Sequence, residues 1–114
     1  MARGAHLGEF EHIVLLALIR LGEDAYGVTV RREIEARTER AVSIGAIYAT
    51  LDRMEAKGLV RSRVGAPTAA RGGRAKRYFL ITTRGMAAVN RTQDALRRMC
   101  EGLATVTTPL PRFG

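Results

Sequence analysis

Tryptophan is absent from this chain, cysteine occurs once, histidine twice and proline three times in 114 residues. The single cysteine, Cys100, excludes an intrachain disulfide and a cysteine-rich zinc site. His6 and His12, both near one end, cannot be assembled with a nucleophile and an orienting group. The acids are scattered or paired with bases at helical spacing, so the expectation is a protein without catalysis, cofactor or metal, with both histidines as ordinary surface residues. Three tyrosines and three phenylalanines leave few planar side chains for stacking on unpaired bases. No stretch approaches the roughly 18 to 20 apolar residues of a membrane span. Met1 to Phe10 lacks the apolar run of a signal peptide, and a cytoplasmic location is expected. A composition 46% apolar and 26% charged suits one folded domain. At this size it buries roughly two thirds of its unfolded surface around one modest core.

Acid is scarcest between Arg53 and Arg77. That stretch holds eight basic residues, Arg53, Lys57, Arg61, Arg63, Arg71, Arg74, Lys76 and Arg77, against Glu55 alone, a net of +7 in a chain whose total is +8. Residues 1–52 carry six bases and eight acids, and residues 78–114 carry five and two. Because exposed charge is screened within roughly 10 Å at 0.1 M salt, such a local concentration orients a polyanion on one edge of the molecule. Double-stranded DNA is the first candidate partner. A solvated face is the plainer reading, but confinement to one helix end and one hairpin favours nucleic acid.

Hydrophobic spacing predicts the elements. From Phe10 to Leu21 apolar residues, Ile13 and Leu16 among them, occupy nearly every helical direction, so this helix is expected to serve both a core and a partner surface, implying a homodimer. Gly22, Glu23 and Asp24 form a turn, and a second helix runs from about Ala25 to Arg37 with Tyr26, Val30 and Ile34 inward. Ser43 caps a third helix whose buried stripe is Ile44, Ile47, Leu51 and Met54. Its opposite side carries Ala46, Ala49, Arg53 and Lys57, with Thr50 at the margin, and Gly58 ends it. Leu59 to Val64 reads as a strand with Val60 and Val64 on one face and Arg61 and Arg63 on the other. A basic, glycine-containing loop through Arg71 leads to a second strand from Arg74 to Ile81. Thr82 or Thr83 caps a last helix to about Leu103, on which Met86, Val89, Gln93, Leu96, Cys100 and Leu103 keep coiled-coil seam spacing. The expected division is a domain over 7–82, a dimerisation helix over 83–104 and a loose tail over 105–114.

Three helices followed by a basic two-stranded hairpin is the order of a winged helix-turn-helix. The fold class expected is α+β, mainly α, with a C-terminal dimerisation helix added. The third helix fits a major groove about 12 Å wide, with Ser43, Ala46 and Thr50 near base edges and Arg53 and Lys57 near phosphates. Arg71, Arg74 and Lys76 on the hairpin suit phosphates or an A·T-rich minor groove. Tyr48, at the margin of the apolar stripe, can cap the core.

Tyr26-Gly27, the run Gly45-Ala46-Ile47-Tyr48-Ala49-Thr50-Leu51-Asp52-Arg53-Met54-Glu55 with Lys57-Gly58-Leu59-Val60, and Lys76-Arg77-Tyr78-Phe79-Leu80-Ile81-Thr82 with Gly85 together resemble the PadR-like transcriptional regulators, over roughly residues 8 to 90. The resemblance implies a dimeric winged-helix repressor of a near-palindromic operator, paired through its first and last helices. Tyr48 would then lie near the DNA backbone, and a small apolar or aromatic effector would sit between subunits. The third helix departs from the family's Gly-Ser-Leu-Tyr-Pro-Ala-Leu, since Ala46 and Ala49 replace the serine and proline, and the last helix is short. The dimer residues expected are Phe10, Ile13, Leu16, Met86, Val89, Leu96, Cys100 and Leu103. Cys100 reads as a small apolar seam residue, or as a thiol that meets its twin. An architectural DNA-coating protein is the alternative. An RNA-binding module, suggested by Arg71-Gly72-Gly73, ranks below it.

Overall fold

In a computed structural model the described residues are 6–65 and 75–103. Helix α1 (Glu9–Leu21) leads through a 3-10 turn (Gly22–Asp24) to α2 (Gly27–Thr38) and α3 (Ile44–Ala56). Strands β1 (Val60–Val64) and β2 (Arg77–Ile81) pair antiparallel, from Val60 opposite Ile81 to Val64 opposite Arg77, and α4 (Thr83–Cys100) follows. This is a winged helix: three helices, a two-stranded wing and an added C-terminal helix. Arg71, Arg74 and the tail lie outside the described residues, as do most of the hairpin loop.

The near-complete apolar circumference of α1 makes it the central element. Val14, Leu15 and Leu18 are buried among Val30 and Ile34 of α2, Ile47, Leu51 and Met54 of α3, Val60 of β1 and Phe79 of β2. At its start the Gly8 amide donates to the Glu11 carboxylate at 3.1 Å, satisfying one of the helix's free donors. Helix α3 begins as its sequence predicts, with the Ser43 hydroxyl accepting from the Ala46 amide at 3.0 Å. Ile44, expected in the buried stripe, is only half-buried because it lies in the first turn.

Four local expectations are corrected. Helix α2 starts at Gly27, two residues later than its periodicity indicates, because Ala25 and Tyr26 are recruited by the wing. The Phe79 amide donates to the Ala25 carbonyl at 2.9 Å, and Tyr26 makes a single antiparallel bridge to Tyr78. Val64 does not share the burial of Val60, being 71% exposed at the loop end of β1, opposite Arg77. His12 is not a surface residue. It lies buried on the core side of α1 with Nε2 unpartnered among the described residues, and burial pushes its pKa down. Finally, α4 stops at Cys100, so Leu103 lies past its end, after Gly102 at φ +85°.

Thr82 joins wing and α4. Its hydroxyl accepts from the Gly85 amide at 3.0 Å and donates to the Gly58 carbonyl at 2.7 Å, while its own amide donates to the Leu59 carbonyl at 3.0 Å. Gly85 lets α4 lie directly against that connection: a Cβ there would collide with the Leu59 carbonyl oxygen. Alanine ordinarily favours a helix over glycine by about 1 kcal/mol. Here the clash is with backbone, and Gly85→Ala is expected to lower stability by roughly 1–3 kcal/mol in urea unfolding.

Candidate nucleic-acid interface

The outward side of α3 is built from small residues. Gly45, Ala46, Ala49 and Ala56 are exposed, and Asp52 and Arg53 stand among them, so the helix backbone can approach another surface closely. Ser43 is exposed at the start of this side. Thr50 does not belong to it, being 3% exposed with its hydroxyl 3.3 Å from an Arg53 guanidinium nitrogen that donates to it. The helix rotation that buries Ile47, Leu51 and Met54 turns this margin residue inward as well, and Thr50 orients Arg53 instead of reading a base.

Tyr48 is half-buried, its ring packed over the start of α2. A Cβ added to Gly27 would fall 2.5 Å from the tyrosine oxygen, which explains the glycine of the Tyr26-Gly27 pair. The Tyr48 ring also tilts toward Phe79, centroids 6.2 Å apart. A concavity of about 600 Å³ opens between the beginning of α2, α3 and the loop end of β2, lined by Tyr26, Arg32, Tyr48, Lys76 and Arg77 among others. Arg32 and Tyr26 were not expected here from their sequence. Arg32 shows only as one charge on the polar face of α2, and nothing local reveals that this face adjoins the wing.

Two cations of the wing rest on stacked tyrosines. The Lys76 ammonium lies 4.2 Å from the Tyr26 ring centroid, Tyr26 meets Tyr78 edge to face at 5.4 Å, and the Arg63 guanidinium lies 4.9 Å over Tyr78. Such cation–aromatic contacts orient the charges without neutralising them. Arg53, Arg61, Arg63 and Lys76 have no carboxylate partner among the described residues.

Lys57 and Arg77 differ. Lys57, at the end of α3, reaches back to Glu11 of α1 at 3.2 Å and lines a separate pocket with His6 and Arg84, away from the wing cations. Partial burial works against the Glu11 anion, yet the Gly8 amide and the Lys57 ammonium outweigh it and hold the carboxyl below its usual range. Arg77 pairs with Asp52 and Glu55 of α3 at 3.0 and 2.7 Å.

The side chains expected at a partner surface also divide. Phe10, Ile13 and Leu16 are half-buried along α1, with Ile13 and Leu16 lining an apolar groove of about 360 Å³ between α1 and α2. Met86, Leu96, Cys100 and Leu103 are exposed, as is Met99, which the seam pattern omits and which is 78% exposed. Val89 is 4% exposed within its own domain, because the first half of α4 packs on the core, and it is no free interface residue.

The description "Transcriptional regulator PadR-like family" attaches to the family model that residues 15–91 match. Among solved structures, a PadR-like transcriptional regulator from Bacillus cereus superposes with a TM-score of 0.70 at 20% identity, covering 89% of this chain and 93% of that one. A transcriptional regulator described as putative, from Thermoplasma acidophilum, gives 0.69 at 20% identity over 91% and 100%. The winged-helix DNA-binding protein F93 from STIV gives 0.67 at 19% over 86% and 98%. Curated proteins yield no match.

The placement of the cations makes a contrast measurable. Lys76→Ala is expected to weaken binding to any duplex and to reduce the log–log salt slope by roughly one, as loss of a phosphate contact does. Lys57→Ala, whose ammonium already serves Glu11, is expected to leave that slope nearly unchanged. Fluorescence anisotropy across a salt series distinguishes the two.

Proposed function

Because this chain belongs to the PadR-like family of transcriptional regulators, we propose that it acts as a homodimeric repressor of a near-palindromic DNA operator. The observation that carries the DNA-binding face is a small-residue α3 surface in one domain with Arg53, Arg61, Arg63 and Lys76, none of which has a carboxylate partner among the described residues, Lys76 lining the concavity beside Tyr48 and Arg32. Ser43 and Ala46 at the start of α3 approach the major groove, while Arg53 and the wing cations take phosphates. Arg71 and Arg74 are assigned phosphate or minor-groove contacts on their sequence alone. Tyr48, whose oxygen lies beside Gly27 at the start of α2, is proposed to touch the DNA backbone.

Pairing is supported by apolar surface that one copy leaves uncovered. Ile19 is 38% exposed, Leu96 53% and Leu103 58%, and the α1–α2 groove lies on the same apolar helix that supplies the core. A dimer joined through α1 and the free half of α4 covers both and brings two α3 helices to half-sites about one helical turn apart. The groove's size and its Ile13, Leu16 and Ile34 lining suit a small apolar or aromatic effector that releases DNA by disturbing this contact.

A paired Leu96→Asp, Met99→Asp variant is expected to run as a monomer in light scattering and to lose most of its operator affinity. A monomeric variant that binds the operator as tightly as the wild type would remove pairing from the mechanism. Genomic fragments recovered with the protein are expected to outcompete scrambled duplex of the same length by about 10³-fold or more at physiological salt. Equal affinity would sink operator recognition. That outcome would leave an architectural DNA-coating role, which the scarcity of hydrogen-bonding side chains on the outer side of α3 would suit.

A further inference from the structure

We propose that Arg77 is a positioning residue of the DNA interface, locking the wing to α3 through Glu55 and masking Asp52 from the duplex, and that it does not itself bind a phosphate. The inference rests on the DNA-binding reading above and assigns a role within that same site.

By sequence Arg77 is one more cation in the basic stretch. In the fold it opens β2 and turns its guanidinium onto α3, with Nη1 3.0 Å from Asp52 Oδ1 and Nη2 2.7 Å from Glu55 Oε1. Its guanidinium carbon also lies 4.7 Å from the centroid of the Phe79 ring, on the same side of the strand. Glu55 uses its second oxygen on the other strand: Oε2 accepts from the Ser62 amide at 3.2 Å and from its hydroxyl at 2.8 Å. One carboxylate near the end of α3 thus grips both β1 and β2. The Ser62 and Arg77 bonds hold the Glu55 carboxyl below its usual range against the opposing effect of burial. A planar guanidinium can serve two acceptors at once, which an ammonium on a flexible stem does poorly.

Asp52 gives this clamp a second consequence. It falls in the exposed row Gly45, Ala49, Asp52 and Ala56, the side of α3 that otherwise offers only small residues to a duplex. An unmasked carboxylate there would meet phosphates with like charge. Arg77 cancels it, leaving Arg53 next to it in the chain without a carboxylate partner among the described residues.

The test uses the full chain and a mixed-sequence linear duplex, since phosphate-dominated binding needs no operator. Arg77→Gln is expected to weaken binding roughly tenfold while the salt slope changes by much less than the unit a lost phosphate contact removes. Adding Asp52→Asn is expected to recover most of that loss, because the unmasked charge is then gone. Without DNA, amide hydrogen exchange in β1 and β2 is expected to quicken in Arg77→Gln and to stay quick in the double variant, whose link to Glu55 is still broken. A slope lowered by about one, a double variant no better than the single, or unchanged exchange in the wing would overturn the proposal. Should Arg77→Gln fail to fold, Arg77→Lys is expected to show the same quickened exchange with a smaller affinity loss, and unchanged exchange there overturns the clamp. Failure of the wild type to bind any duplex would strike the DNA-binding reading, and the masking role with it, separately from the exchange result.

Discussion

The insertion of Phe79 is the constraint on which the rest of this molecule depends. Its side chain is 1% exposed in the core, its amide is bonded to the Ala25 carbonyl, and its ring faces Tyr48. Through one residue the wing is thereby joined to the start of α2 and to α3. A two-stranded hairpin alone is only marginally stable in water. Anchored this way, it becomes a fixed arm, and the concavity between α2, α3 and the wing acquires a definite shape. The bridge from Tyr26 to Tyr78 and the packing of Gly27 under Tyr48 belong to the same arrangement.

The anchored wing sorts the charges. Cations adjacent in sequence become functionally different once their neighbours in space are fixed. Lys57 is drawn to α1 by Glu11, Arg77 is drawn to α3 by Asp52 and Glu55, and Lys76 and Arg63 are spread over tyrosine faces on the wing. The high net charge of the stretch is thus divided between groups that brace the scaffold and groups free to meet a polyanion. Partly exposed ion pairs contribute little to stability by themselves. Their value here lies in orientation, because a carboxylate left alone on a DNA-facing helix would oppose binding.

Helices α1 and α4 carry the opposite surplus, apolar surface in excess of what one small domain buries. The first half of α4 is consumed by the domain through Gly85, Ala88 and Val89, whereas Leu96, Met99 and Leu103 remain outside. The division falls where the helix leaves the support of α1 and the wing. The apolar seam read along α4 is continuous in sequence, but it serves two environments in succession.

Elements with strong local signals were legible from residues alone. Ser43 as a cap, Thr82 as one of two candidate caps, the buried row Ile47, Leu51 and Met54, and the order of helices and strands follow from hydrogen-bonding side chains and helical spacing, which act within a few residues. The family motif likewise anticipated the winged helix. The start of α2, the burial of Thr50, His12 and Val89, the exposure of Val64 and the pairing of Lys57 and Arg77 were decided only by tertiary structure. Each depends on a group far away in the chain: Ala25 on Phe79, Lys57 on Glu11, Arg77 on Asp52 and Glu55. Periodicity tells which side of a helix is apolar and where cations are dense. Which cation finds an acid, and which margin residue is turned inward, is settled by the packing of elements that share no local sequence.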